Sequence, residues 1–317
     1  MKRTDEEAIP ARRGAAIRGC FLNRSGQLRR GLKLAFALAA AVLLAAWAVP
    51  TAMTALFGRL FEVWGVTSES AARAPGWAQL LYGGFSYVSG LAQGAAIFLI
   101  ARLMGRVLGA RVEMGKGLYA GIAAGAGTAF GLLALLRLLD VMRFGHALTS
   151  PALSALTPML MTFLVAQALG ATMATGLIGE ILSGWHRALA YAGSALLYAL
   201  LFGRWTPIGI LSGAVFGLLL WLMREKKGGI APAFGFLSTF SLLTVAVFGM
   251  PPWSQGALYE TYHVSKPWLT GGGAGPWAGL LLPTILLSFI AALALPSRRT
   301  KAALLPRPAR PGRAERN

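Results

Sequence analysis

Apolar residues gather in long runs separated by short polar and basic segments. A bilayer core of ~30 Å is crossed by about 20 apolar residues of helix, and eight runs fall on that scale: Leu32–Phe57, Trp77–Met104, Gly117–Leu136, Leu153–Gly179, Ala188–Gly203, Thr206–Met223, Gly229–Gly249 and Trp277–Leu295. The fifth and sixth are short and separated only by Arg204 and Trp205, so they read either as two spans or as tilted, half-buried helices. The pattern predicts an all-α, polytopic membrane helical bundle with about eight transmembrane helices.

Basic residues near span ends favour the cytoplasm. With the amino-terminal tail placed there, 24 of the 30 Lys and Arg residues fall on the inner segments and six on the outer loops. This partition predicts both termini inside and a multi-pass protein of a bacterial-type cytoplasmic (inner) membrane. The chain divides into a cytoplasmic basic tail (1–31), amino-terminal transmembrane helices (32–150), a second set of transmembrane helices (151–295) and a cytoplasmic, Pro- and Arg-rich basic tail (296–317). Neither tail has the apolar content to fold alone, so both are expected to be disordered.

Composition sharpens the picture. Of 317 residues 56% are hydrophobic and 13% charged, against about 25% charged for a soluble domain, and mean hydropathy is +0.61. The net charge of +19 reports topology and contact with anionic membrane lipids, not nucleic acid, because the basic residues sit between apolar runs. A single cysteine excludes a disulfide framework, a Cys-ligated zinc site and an iron–sulfur cluster. His146, His186 and His263 are scattered without an HExxH pair, so no metal site or cofactor is expected. Glycines recur four apart at Gly90 and Gly94, Gly121 and Gly125, Gly127 and Gly131, and Gly209, Gly213 and Gly217. That spacing predicts helix faces where two backbones approach closely.

Ionisable groups inside spans are costly and so informative. Glu180 closes the fourth run, in Gly176-Leu-Ile-Gly-Glu180-Ile-Leu-Ser-Gly-Trp-His186-Arg187. On a continuous helix Arg187 lies two turns further along the same side, placing a cation beside the carboxylate, with His186 on one flank. Such a carboxylate at a cavity mouth serves as a general base on water; the same residues also read as an interfacial ion pair ending a span. Asp140 with Arg137 and Arg143 reads as an ion-pair cluster at the opposite surface.

The order of features over residues ~165–285 resembles the CPBP family, the CAAX-processing and bacteriocin-immunity intramembrane endopeptidases. The stretch runs from Gly179-Glu180 through Gly184-Trp-His186-Arg187 to Ser194-Ala-Leu-Leu-Tyr198-Ala-Leu-Leu-Phe202, then Gly213-Ala-Val-Phe-Gly217 and Gly228-Gly-Ile-Ala-Pro232-Ala-Phe-Gly-Phe236-Leu-Ser-Thr-Phe240. Pro267-Trp-Leu-Thr-Gly271-Gly-Gly-Ala-Gly275-Pro-Trp277-Ala-Gly279 is similar to the Gly-rich segment before the family's last span. In the family, paired glutamates and two histidines activate the water that cuts a peptide bond. The resemblance sets Gly179 and Glu180 at the two glutamates and Gly184, or Arg187 after a short deletion, at the arginine. It sets Phe202 and Phe236 at the two histidines and Phe240 at the last polar position. Phenylalanine neither ligates a metal nor transfers a proton, so the resemblance implies a catalytically degenerate pseudo-protease that binds a membrane protein or peptide. Two alternatives stand beside it: an active intramembrane endopeptidase using Glu180 with His186 and Arg187, and a membrane subunit of a transporter.

Overall fold

Every apolar run forms a helix in the computed structural model, which describes residues 30–65, 76–108, 112–147, 156–184, 186–203, 206–251, 257–263 and 266–294. The predicted basic tails lie outside these residues except for Arg30 and Gly31, as do Arg204 and Trp205. The long helices are α1 (Arg30–Val63), α2 (Gly76–Leu108), α3 (Leu118–Leu138), α4 (Thr157–Ser183), α5 (Arg187–Phe202), α6 (Pro207–Lys227), α7 (Ala231–Ser241) and α8 (Leu281–Ala294). Among the described residues five of these, α1 to α4 and α6, are long and apolar enough to cross a membrane. The others are apolar but shorter: α5, α7 with its continuation to Val247, and α8. Of the doubtful fifth and sixth runs, the sixth is thus full length and the fifth is not. Large apolar side chains cover the outside, with Trp47, Leu103 and Leu138 more than half exposed. That surface suits lipid and not water.

Local chemistry sets the ends of α6. The Thr206 hydroxyl accepts from the Gly209 N–H at 3.1 Å, and Pro207 opens the first turn, where its missing N–H costs nothing. Arg224, Lys226 and Lys227 occupy the last turn, against the negative end of the helix dipole. Gly228 then stops the helix at φ +72°, a left-handed conformation that glycine adopts without a Cβ clash. At its far end α7 widens into a π-helical stretch, Leu242–Val247.

The two predicted halves interleave. α4 packs on α2, α5 and α1, α3 packs on α7, and α6 lies between α5 and α8. Glycine permits the closest crossings. An added Cβ on Gly121 or Gly125 of α3 would strike the backbone of Pro232 or Phe236 on α7, and one on Gly213 would lie 2.8 Å from the Ala199 Cα on α5. Gly127 and Gly131 do not follow this reading. Nothing lies within 4 Å of either Cβ position, because their face of α3 turns out of the bundle.

Two short strands join one end of the bundle, β1 (Met142–Ala147) and β2 (Tyr259–His263). They pair antiparallel with Met142 opposite His263, and the register shifts between Phe144 and Ala147. Beyond β2, a one-turn helix, Pro267–Thr270, leads into glycine-rich 3-10 turns that carry Trp277 inward against Phe216 and Phe240.

Candidate functional site

Phe202, Phe236 and Phe240, which the sequence resemblance aligns with catalytic positions, belong to the aromatic core. Phe216, Phe236 and Phe240 are fully buried. Phe236 stacks on Phe240 and on Phe289, with centroids 6.2 and 6.0 Å apart, and Phe240 meets Trp277 edge-on at 5.5 Å. Tyr198 bridges Phe216 at 5.6 Å and Phe202 at 4.9 Å. Apolar side chains at these positions leave no buried polar group to satisfy, a cost of at least ~1–3 kcal/mol each where unmet.

Glu180, His186 and Arg187 do not come together as a catalytic group. The expected Glu180–Arg187 pairing needs one continuous helix, and α4 ends at Ser183 with Gly184 as its cap. The chain then reverses into α5, where the His186 Nδ1 accepts the Ala188 N–H at 3.2 Å and caps the new helix. Glu180 pairs instead with Arg224 of α6, Nη2 to Oε2 at 2.7 Å. Arg224 also donates to the Gly176 carbonyl and lies over the Trp221 ring, 4.9 Å from its centroid. Arg187 turns to Glu225, with Nε to Oε1 at 2.6 Å, and Glu225 also accepts from the Tyr191 hydroxyl. At Gly179 the missing side chain has a packing cause, because a Cβ there would overlap the Trp221 ring. Phe202 lies at the far end of α5 from Arg187, fifteen residues or ~22 Å of helix away. The charged groups therefore form matched pairs at one end of the bundle, remote from the aromatic positions. Asp140 bridges Arg137 at 3.3 Å and Arg143 at 3.7 Å, the exposed cluster expected there.

Sequence reasoning passed over a different place. A cavity of about 600 Å³ opens among α1, α2, α4, α5 and α7, within the size range of ligand sites. Its walls are mostly apolar, with Phe163, Phe202, Leu237 and Val245 among them, and the polar groups of its described lining are neutral, with Thr54, Ser89, Gln93, Gln167, Tyr198 and Ser241 among them. Among the described residues no Asp, Glu, His, Cys, Lys or Arg lines it. Leu237 and Ser241 face the cavity, while Phe236 and Phe240, one position back on α7, face the aromatic core.

A hydrogen-bond chain backs this cavity. Pro50 has no N–H, so the Ala46 carbonyl four residues earlier in α1 lacks its helical donor. The Gln93 Nε2 of α2 supplies one at 2.6 Å. Gln93 Oε1 accepts in turn from the Gln167 Nε2 of α4 at 2.8 Å, and Gln167 Nε2 also donates to the Gly90 carbonyl at 2.6 Å. Two acceptors on one nitrogen fix the orientation of the Gln167 amide and leave its Oε1 buried and without a partner. These bonds span 47, 74 and 77 residues of sequence. The legible signal was a proline within one apolar run and uncharged amides within two others, which a search for ionisable groups does not collect.

Such a site can hold an uncharged apolar ligand and offer it hydrogen bonds, and its described lining has no carboxylate, imidazole or thiol. Among the described residues no three His, Cys, Asp or Glu side chains gather in a form that holds a metal ion. Compared with family models, curated proteins and solved structures, the chain matches none.

Proposed function

We propose that the chain is a CPBP-like integral membrane protein of eight spans, both tails cytoplasmic, that binds a membrane protein or peptide and does not cut it. The observation that carries this reading is the filling of the three expected catalytic positions by Phe202, Phe236 and Phe240, beside a cavity with neutral polar lining. The separation of Glu180, His186 and Arg187 into unrelated contacts supports it further, since a general base needs its partner within hydrogen-bond reach.

Site-specific photo-crosslinking in intact membranes tests the proposal. A photoreactive residue replaces Leu237, which lines the cavity, or Leu135 on the outward face of α3. Adducts with an intact membrane protein from position 237 and not from 135 are expected. Lipid adducts alone from both positions overturn the reading. Truncated adducts that disappear in Glu180→Gln overturn it in favour of an active peptidase.

A further inference from the structure

Several buried hydroxyls of the bundle are returned to their own helix. Thr172, Thr175, Ser238 and Thr244 each donate to the carbonyl four residues earlier, at 2.7 to 2.8 Å. Ser89 of α2, Tyr198 of α5 and Ser241 of α7 differ. Their hydroxyls make no hydrogen bond among the described residues, although the three residues are only 6, 2 and 7% exposed. Neither are they closed in. The buried polar atoms that have no partner and no space beside them for water are Gln167 Oε1, Trp277 Nε1, Ser212 Oγ and Trp221 Nε1, and none of the three hydroxyls is among these. All three residues line the cavity, so the space that reaches their oxygens is the cavity itself.

A polar group left unmatched inside a membrane costs free energy that a matching ligand group recovers. Size and charge define that group. A spanning helix ~10 Å wide and ~30 Å long fills ~2,400 Å³, about four times the cavity of about 600 Å³, so a membrane partner can place only part of itself inside. The backbone of an unbroken helix is already hydrogen-bonded, so that part is side chain. A charged side chain finds no counter-ion in the described lining. An apolar one fits the walls and leaves the hydroxyls unmatched. A carboxamide is neutral and carries two N–H donors and a carbonyl acceptor, the complement of hydroxyls that both donate and accept. Thr54 and Ser86 are the exposed residues of the lining, which puts the opening beside α1 and α2.

Resting on the peptide-binding reading above, we infer that the cavity recognises the carboxamide of an Asn or Gln side chain on a partner's membrane helix, held by the hydroxyls of Tyr198, Ser89 and Ser241. The hydroxyls donate to its oxygen and accept from its nitrogen, bonds of the kind that join helices within a bilayer. A helix with an apolar residue at that position is rejected because it leaves the hydroxyls unpaired.

The test uses the full chain in lipid vesicles with two uncharged Leu/Ala peptides of about 20 residues, identical except that one carries a central Asn where the other has Leu. Binding is read as energy transfer from a dye on the protein to a dye on the peptide. The Asn peptide is expected to bind about tenfold more tightly, the effect of two such hydrogen bonds. Tyr198→Phe, which keeps the ring and removes the hydroxyl, is expected to erase most of that preference, and Ser89→Ala with Ser241→Ala to erase the rest. Ser212→Ala removes a sealed hydroxyl outside the cavity lining and is expected to change nothing. Should Tyr198→Phe fail to fold, the serine pair decides. Equal binding of both peptides, or a preference that survives in the variants, overturns the inference and leaves the peptide reading standing. Binding of neither peptide overturns both.

Discussion

Gln167 and Glu180 sit on the same helix, thirteen residues and ~20 Å apart, and the middle and the last turn of α4 treat polarity in opposite ways. Around Glu180 the groups are charged, partly solvated and matched: Arg224 to Glu180, and Arg187 and Tyr191 to Glu225. Around Gln167 they are neutral, enclosed and left one bond short on the donor and acceptor sides. Water reaches Glu180, whose side chain is 45% exposed, and can repair an imperfect pairing. Beside Gln167 neither water nor a charge does so, because the unmatched atoms are sealed inside the bundle.

The largest break in this contrast comes from the backbone contact that positions Gln167. A Cβ on Gly94 would lie 2.7 Å from the Ala166 carbonyl carbon and 2.9 Å from the Gln167 backbone N. Gly94→Leu is expected to push α2 off α4 and cost more than about 3 kcal/mol, beyond ordinary overpacking because backbone atoms cannot yield. The readout is denaturant unfolding in mixed micelles. Gly127→Leu, on a face with nothing within 4 Å, is expected to unfold as the parent does.

Next comes the charged end. Arg224→Leu removes the partner of Glu180 and the donor to Gly176. The expected loss is about 2 kcal/mol in the same assay, below the ~3–5 kcal/mol of a fully buried pair, because Glu180 is nearly half exposed and water takes over part of its solvation. A loss as large as that of Gly94→Leu would mean that Glu180 is sealed from solvent and that the surroundings of Glu180 and Gln167 are alike.

The helices were legible because length and apolarity define a span. The run Gly117–Leu136 became α3 (Leu118–Leu138), and Ala188–Gly203 became α5 (Arg187–Phe202). The shortness of α7 and α8 was not legible, since Leu242–Val247 is apolar in either helical form and Trp277 left its run to join the core. The partner of Glu180 was missed for a physical reason. A local rule selected Arg187, seven residues away, but the chain reverses at His186 and packing of α6 on α4 delivers Arg224, 44 residues away. The glycines divide in the same way: spacing marks a face, and only assembly tells whether Gly121 or Gly127 meets a neighbour.

The neutral chain allows a sharper test of smaller size. Gln93→Leu leaves the Ala46 carbonyl without a donor, at an expected cost of about 1–2 kcal/mol. Pro50→Ala restores an N–H four residues after Ala46 within α1. In the Gln93→Leu background that change is expected to stabilise by about 1 kcal/mol more than in the parent, a coupling that a double-mutant cycle isolates. Additive effects would show that the proline and the glutamine are unrelated.

The smallest effect is expected where the sequence placed a catalytic candidate. The Arg187 side chain is 71% exposed, and its two bonds to Glu225, at 2.6 and 3.1 Å, lie at the solvated end of α6. Attraction between exposed charges is weak and screened by salt, and Tyr191 still donates to Glu225 when the guanidinium is gone. Arg187→Gln is therefore expected to leave the unfolding midpoint unchanged at low and at high salt. A loss matching that of Arg224→Leu and insensitive to salt would instead join Arg187, Glu225, Arg224 and Glu180 into one enclosed network. The charged end would then carry the same kind of constraint as the cavity around Gln167, and a role for Arg187 beyond the surface would have to be sought there.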